Sequence, residues 1–129
     1  AELHGFLSYL IKAAKERKKY YIFGYKGKQV RDNIHSEDVV QAFWEFYKTK
    51  NNSGTYNIGG GRSNSCSILE VIEILRKKHD IESKYKILKK NRSGDHIWYI
   101  SDNSKFQDQH KNWKIKRNLN SIISEIATN

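Results

Sequence analysis

Apolar residues recur every three or four positions in four stretches of the chain, which is the spacing of one face of an α-helix. In the first stretch, for example, Leu3, Phe6, Leu10 and Ala14 follow this spacing. The predicted helices cover residues 3–17, 36–47, 67–75 and 119–126, and a shorter one is predicted to start at Ser101-Asp102.

Short runs of aromatic and β-branched residues lie between these helices and predict strands. The predicted strands cover residues 20–23, 29–35, 55–58, 84–88 and 97–100. Glycines at both ends of Gly24–Gly27 favour a hairpin turn between the first two strands. Helices that alternate with short strands predict an α/β or α+β chain.

Two of the helix starts carry polar residues that can satisfy free backbone N–H groups. Ser36 is predicted to accept from the first turn of its helix, and Glu37 and Asp38 complement the positive helix terminus. Ser67 with Glu70 three residues later has the pattern of a capping box.

The net charge of the chain adds information about its partners. The chain has 129 residues and a net charge of +10, and its pI is near 9.7. This length suits one compact domain. A strongly basic chain favours an anionic partner, which could be a nucleic acid, an anionic membrane or a phosphorylated small molecule.

Residue types that are rare or missing add further expectations. The chain has no Met and no Pro, so we expect it to be part of a longer protein. No apolar run approaches the ~20 residues of a membrane span, and no leader pattern begins the sequence, which predicts a soluble, cytoplasmic protein. A single cysteine, Cys66, excludes an internal disulfide and suits a reducing compartment.

Several partial motifs fail on spacing. Gly59-Gly60-Gly61 lacks the third glycine of a dinucleotide-binding turn, and Gly24–Lys28 lacks the spacing of a phosphate-binding P-loop. Tyr85 and Lys89 have the Tyr-x-x-x-Lys spacing of short-chain dehydrogenases, but they lie in a predicted strand, where residues four apart are roughly 13 Å from each other.

The sequence also gives no support for a metal site or for nucleophilic catalysis. The five histidines and Cys66 show no paired ligand spacing, and no nucleophile elbow is present. The sequence therefore predicts no catalytic residue, no cofactor-binding residue and no metal ligand in this chain.

Two arginines stand in strand and loop settings among small and polar neighbours. Arg31 lies in the segment Gly27–His35, and Arg92 lies in the segment Asn91–Tyr99. Guanidinium groups present paired N–H donors that match phosphate oxygens. Two arginines brought together from distant segments could therefore clamp a diphosphate.

These segments carry a resemblance to a known family. Ile22-Phe23-Gly24, Gly27–Val39, Tyr56–Gly61, Asn64-Ser65, Arg92–Asp95 and Ser101-Asp102 are similar in order and spacing to the C-terminal part of extended short-chain dehydrogenase/reductases, the NAD-dependent nucleotide-sugar epimerases and dehydratases. Within the family, the Gly-Lys-Gln-Val-Arg-Asp segment looks most like that of 2-epimerases of CDP-linked sugars. The resemblance implies an α/β fold with a small mixed sheet and flanking helices.

The resemblance also implies roles for individual residues. Arg31 and Arg92 match the arginines that bind the diphosphate of the nucleotide sugar. Phe23, with Tyr21 beside it, matches the segment that lies along the nucleobase and ribose. Asp95 matches an acceptor for a ribose hydroxyl.

Two further substrate positions and three structural residues complete the set. Tyr99 matches an aromatic residue near the sugar diphosphate, and Asn33 stands at another substrate-contacting position, where galactose-type epimerases commonly have an aromatic residue. Asp32, His35 and Asp38 are expected to be structural partners that hold the strand and the start of the following helix.

For the whole enzyme, the resemblance implies reversible hydride transfer between a sugar carbon and NAD. The glycine-rich turn, the catalytic Ser/Thr and the Tyr-x-x-x-Lys of the family precede the part that this chain matches. We therefore expect residues 1–129 to be a substrate-binding domain that is inactive and binds NAD poorly by itself. Its expected partners are a CDP- or UDP-sugar, its own N-terminal Rossmann domain and further copies of the enzyme.

A basic nucleic-acid-binding module is the alternative from another functional class. Trp98 or Tyr99 could stack on bases, and lysines could follow a phosphate backbone. These lysines form two groups: Lys12, Lys15, Lys18 and Lys19, and Lys84, Lys86, Lys89 and Lys90. We favour the substrate-binding domain, with neither nucleic acid nor membrane as a partner, because the lysines lie at predicted helix ends and on an exposed strand.

Overall fold

The computed structural model describes residues 5–50 and 53–129. Within them the chain forms two compact units. Among the described residues, the first unit comprises 5–31, 66–99 and 120–129, and the second comprises 32–50, 53–65 and 100–119. The elements in chain order are α1 (Phe6–Lys15), β1 (Tyr20–Phe23), β2 (Val30–Asp32), α2 (Ser36–Lys48), β3 (Ser65–Ser67), α3 (Ile68–His79), β4 (Tyr85–Leu88), β5 (Trp98–Tyr99), α4 (Ser104–Gln109) and α5 (Leu119–Thr128).

The strands form two small sheets, one with β1 beside β4 and one in the order β3-β2-β5. β1 runs parallel to β4, with Ile22 opposite Ile87, and β2 runs parallel to β5, with Arg31 opposite Tyr99. The α/β class with small sheets and flanking helices is thereby confirmed.

The predicted hairpin between the first two strands is wrong. β1 and β2 pair with strands that come much later in the chain, and parallel strands need long connections. The segment between them is a 3₁₀ turn over Tyr25–Gly27. It begins after Gly24, whose φ of 72° and close approach to Asn91 both require glycine.

Hydrophobic side chains form a separate core in each unit. In the first unit, α1, α3 and α5 bury one side. Its most deeply buried side chains are Leu10, Ile11, Ile22, Val71, Leu75 and Ile123. In the second unit, Ala42 of α2 packs with Phe106 and Trp113. The helical spacing in the sequence therefore located the core of the first unit correctly, except for Leu3, which lies outside the described residues. For α2 it was wrong, because Val40, Phe43 and Tyr47 are exposed and Ala42 is buried instead.

Three local predictions are wrong at the level of single residues. His35, not Ser36, caps α2, because its Nδ1 accepts from the Glu37 N–H at 3.1 Å. Residues 55–58 are not a strand. The short helix starts at Ser104 instead of Ser101, after Asp102 accepts from the Ser104 N–H at 2.9 Å.

Residues 55–58 have no neighbouring strand among the described residues, and side chains satisfy backbone groups at Thr55 and at Gly59 instead. The side chain of Asn103 accepts from the Gly59 N–H at 2.9 Å and donates to the Gly59 carbonyl at 2.8 Å. Lys105 Nζ donates to the Thr55 carbonyl at 2.8 Å. Side chains thus take the place of a neighbouring strand.

The capping box at the start of α3 is confirmed in both directions. Ser67 Oγ accepts from the Glu70 N–H at 3.2 Å, and Glu70 Oε2 accepts from the Ser67 N–H at 2.6 Å. We expect Ser67→Ala to lower the free energy of unfolding by about 1 kcal/mol, because one N–H of the first turn loses its acceptor. Urea denaturation measures this loss. Ser67→Asp, which keeps an acceptor, should retain most of the stability, and equal losses in both variants would contradict the capping role.

No helix in residues 5–50 and 53–129 is long and apolar enough to cross a membrane.

Candidate functional site

A loop at residues 92–95 of the first unit is held at both of its ends. The Asp95 N–H donates to the Arg92 carbonyl at 3.2 Å, which closes the loop, and Gly94 has a φ of 75° inside it. Tyr25 Oη donates to the Asp95 carbonyl at 2.9 Å. The turn after β1 therefore fixes the position of this loop.

Arg31 projects from β2 toward the same loop. Its guanidinium pairs with the Asp95 carboxylate and also donates to the carbonyls of His96 and Val30. The side chains of Arg31 and Asp95 are 24% and 23% exposed, so the pair lies at the surface but is shielded on most sides. A guanidinium fixed by three acceptors is oriented before any ligand arrives, which lowers the entropic cost of binding.

Arg92 lies at the other end of the loop and stacks on Phe23 of β1. Its guanidinium carbon is 4.5 Å from the centre of the Phe23 ring, within the range of a cation–π contact. Stacking uses the face of the guanidinium and leaves its N–H groups directed outward in the plane. Arg92 is exposed, so these donors can reach an anion in solvent.

Aromatic residues of the predicted site surround this arrangement in the first unit. Tyr21 is two residues before Phe23 on β1, so both side chains share the face of the strand that is not buried. Tyr99 is exposed and lies opposite Arg31 in the β2–β5 register. One unit thus supplies two arginines, a carboxylate and three aromatic rings.

Asn33 belongs to the second unit and is engaged there. Its backbone N–H and its side-chain Nδ2 both donate to the Asn64 carbonyl, at 3.0 and 3.3 Å. The predicted substrate contact of Asn33 therefore stays a prediction.

The expectation that Asp32, His35 and Asp38 are structural is confirmed. Asp32 Oδ2 accepts from the N–H groups of Gly61 and Ser101, at 2.9 and 3.0 Å. His35 caps α2, as described above.

Asp38 is almost completely buried and connects α2 to the segment after α4. Its two carboxylate oxygens accept from the N–H groups of Lys116 and Arg117, both at 3.1 Å. Its own carbonyl accepts from Trp113 Nε1 at 2.8 Å. These hydrogen bonds fix the start of α2 to residues 113–117 in the second unit.

The glycine-rich loop at 59–61 does not fit a phosphate of a dinucleotide. A Cβ on Gly59 would overlap Ser101 and Asp32, and one on Gly60 would overlap the backbone of Asn33. The N–H groups of Gly59 and Gly61 already donate to Asn103 and Asp32. These glycines allow the chain to pack closely on itself, so the loop supplies no cofactor cradle.

The Tyr85 and Lys89 spacing is likewise not a catalytic pair. Tyr85 begins β4, which ends at Leu88, so the two residues do not share a helix face. In the described part of the chain, no group of three His, Cys, Asp or Glu side chains could hold a metal ion.

Sequence reasoning missed two residues that support the site. Tyr25 fixes the loop through the Asp95 carbonyl. Gln29 is buried and donates from Nε2 to the Phe23 carbonyl at 3.3 Å. Gln29 lies in the segment Gly27–Val39 that resembles the family, so that segment was the signal that could have found it. Nothing in the sequence indicates that Tyr25 contacts residue 95.

Comparison with known proteins tests the family resemblance. The model of the NAD dependent epimerase/dehydratase family matches residues 1–59. CDP-paratose 2-epimerase of Salmonella typhi is 31% identical over 78 residues, which are 59% of this chain and 23% of that protein. The resemblance is confirmed. This chain is similar to the C-terminal part of extended short-chain dehydrogenase/reductases of the epimerase type.

Solved structures extend the similarity to nearly the whole chain. UDP-glucuronic acid 4-epimerase from Bacillus cereus, in complex with UDP-glucuronic acid and NAD, is 26% identical with a TM-score of 0.83. The match covers 97% of this chain and 39% of that one. UDP-glucose 4-epimerase from Bifidobacterium longum, in complex with NAD⁺ and UDP, has the same fold, with a TM-score of 0.81 at 24% identity over 98% and 39% of the two chains.

This epimerase-like chain thus spans about two fifths of the length of the solved relatives and about a quarter of the curated one.

Proposed function

We propose that this chain is the substrate-holding C-terminal domain of an NAD-dependent nucleotide-sugar epimerase, and that it binds the diphosphate of the nucleotide sugar. The observation that carries this proposal is the loop at 92–95. In this loop Asp95 pairs with the Arg31 guanidinium, and Arg92 stacks on the Phe23 ring, within a single unit.

The two arginines would contribute unequally to binding a diphosphate. Arg31 is already oriented by Asp95, so its remaining attraction for an anion is reduced by the neighbouring negative charge. Arg92 has no such carboxylate among its described contacts and would supply the stronger field. Bidentate N–H donation from a guanidinium to phosphate is a strong and directional contact.

The aromatic residues and Asp95 would then receive the nucleoside. Phe23 and Tyr21 offer apolar surface to a base and ribose, and Gln29 holds the Phe23 backbone in place. The second oxygen of Asp95 would accept from a ribose hydroxyl while the first stays on Arg31. Tyr99 would border the sugar end of the diphosphate.

A CDP-sugar is the preferred substrate, with epimerisation at C2 of the sugar. The identity to CDP-paratose 2-epimerase and the Gly27–Asp32 segment support it. The alternative within this class is a UDP-sugar, or a dehydratase of the same superfamily, because solved relatives with UDP-sugars match over nearly the whole chain.

NAD would be held, and hydride transfer carried out, by residues outside this chain. The loop at 59–61 does not fit a cofactor phosphate, and Tyr85 with Lys89 does not form a helix-borne pair. The residues described here would bind and orient the substrate, which presents its sugar carbon to the reaction centre. By itself the chain is expected to be inactive.

Calorimetric titration of the chain with CDP, UDP and mixed-sequence DNA tests this function. We expect measurable binding of CDP or UDP. For DNA we expect at most weak binding, because the lysines are spread over helix ends and β4. A nucleic-acid-binding module would instead bind DNA with a steep loss of affinity between about 50 and 200 mM salt. That result, without detectable binding of either nucleotide, would contradict the proposal.

A further inference from the structure

The turn between β1 and β2 is strained, because four consecutive residues in it have positive φ angles. These angles are 72° at Gly24, 50° at Tyr25, 52° at Lys26 and 75° at Gly27. Glycine adopts such angles freely, whereas a tyrosine or a lysine there costs free energy. Strained backbone persists only where surrounding contacts hold it, and it clusters at functional sites. We call residues 24–27 the strained turn.

The strained turn contacts the chain on both sides of the loop at 92–95. Before the loop, Gly24 lies so close to Asn91 that a Cβ on residue 24 would overlap the Asn91 side chain. At the end of the loop, Tyr25 Oη donates to the Asp95 carbonyl at 2.9 Å. The residue with the strained backbone is therefore also the one that holds the end of the loop.

The peptide plane between residues 95 and 96 connects this hydrogen bond to the Arg31 guanidinium. The Asp95 carbonyl and the His96 N–H lie in one plane, because a peptide bond does not rotate freely. Tyr25 holds the carbonyl side of this plane. On the other side, the His96 N–H donates to Asp95 Oδ1 at 3.1 Å, and the same oxygen pairs with Arg31. The orientation of the Asp95 carboxylate, and with it that of Arg31, therefore depends on a plane that Tyr25 holds.

The hydroxyl of Tyr25 is the group that makes this connection. Tyr25 is half-buried, and the hydroxyl of a buried tyrosine usually has a hydrogen-bond partner. A phenylalanine at this position would keep the ring and its packing but would not donate to the Asp95 carbonyl. The net contribution of one neutral hydrogen bond corresponds to a factor of about two to ten in an equilibrium constant.

We infer that Tyr25 is a positioning residue for the diphosphate: its hydroxyl fixes the 95–96 peptide, which orients Asp95 and, through it, Arg31. This inference rests on the proposed function. Tyr25 acts on the ligand through the arginine, so its effect requires Arg31 to be present. The preference of the chain for a diphosphate over a monophosphate then depends on this hydroxyl.

Titration calorimetry of Tyr25→Phe with UDP and UMP tests the inference. We expect the dissociation constant of UDP to rise about threefold to tenfold and that of UMP to change by less than about twofold. In the Arg31→Ala background, Tyr25→Phe should have no further effect on UDP binding, because the hydroxyl acts through that arginine. Tyr56→Phe is the matched control. It removes a hydroxyl that also donates to a carbonyl, that of Ser53 in the second unit, and both dissociation constants should stay unchanged.

Three results would overturn the inference: an unchanged UDP affinity in Tyr25→Phe, an equal loss for UDP and UMP, or the same loss of UDP affinity with and without Arg31. A Tyr25→Phe chain that circular dichroism shows to be unfolded would also overturn it, because the hydroxyl would then serve the fold. If the unmodified chain binds neither UDP nor CDP, the proposed function fails together with the inference. If Arg31→Ala weakens UDP binding and Tyr25→Phe does not, the inference alone fails.

Discussion

Replacing Asp38 with alanine is expected to lower the free energy of unfolding by about 3 to 5 kcal/mol, because hydrogen bonds to a buried charged group are worth about 1.5 to 3 kcal/mol each. Asp38 is 1% exposed, and its carboxylate accepts from two backbone N–H groups that have turned away from water. A loss of this size is a large fraction of the stability of a small domain. Urea denaturation followed by circular dichroism measures it.

Two matched variants separate the carboxylate from a general effect of substitution. Asp38→Asn keeps one acceptor oxygen but turns an amide donor toward a second N–H, so its stability should lie between those of the unmodified chain and Asp38→Ala. Asp102→Ala removes an exposed carboxylate that accepts from one N–H, and about 1 kcal/mol at most should be lost. Equal effects of Asp38→Ala and Asp102→Ala would contradict the structural role of Asp38.

Replacing Arg31 with alanine is expected to weaken UDP and CDP binding at least tenfold, or about 1.4 kcal/mol. The substitution removes the guanidinium and also frees Asp95, whose negative charge would then repel the diphosphate. Arg31→Lys keeps the charge but loses the forked donors, so its affinity should be intermediate. Titration calorimetry measures each dissociation constant.

Lys18→Ala is the matched control for charge alone. Lys18 is exposed and pairs with Glu16 at 2.7 Å. Its removal should leave nucleotide affinity unchanged. If Arg31→Ala and Lys18→Ala weakened binding equally, the effect would be nonspecific charge and not a clamp.

Local signals in the sequence were sufficient for much of the fold. The capping box at Ser67 and Glu70 and the apolar faces of α1, α3 and α5 depend on residues a few positions apart. The strand β1 likewise depends on local sequence, because its four residues are followed directly by Gly24, which ends the strand. Features of this kind can be recognised before the chain is folded, because their partners are near in sequence.

Errors arose where a distant residue decides the local structure. Residues 55–58 have the composition of a strand, but Asn103 and Lys105 satisfy backbone groups in this part of the chain. The hairpin was wrong because the strands that pair with β1 and β2 all come after residue 64. At the start of α2, two neighbouring residues could both cap the helix, and the backbone conformation favours His35.

The candidate site shows the same limit. The resemblance selected Arg31, Arg92 and Asp95, but the sequence could not show that Asp95, 64 residues away, is the partner of Arg31. It also could not show that Arg92 stacks on Phe23. Both contacts follow from the parallel pairing of strands, which brings the loop at 92–95 to β1 and β2.

The most direct test of the diphosphate clamp compares UDP with UMP as ligands of the unmodified chain and of Arg31→Ala/Arg92→Ala. The two ligands differ by one phosphate, so the ratio of their dissociation constants isolates the contribution of that group. We predict that the unmodified chain binds UDP at least tenfold more tightly than UMP, and that the ratio falls to about one in the double variant. An unchanged ratio in the double variant would contradict the clamp.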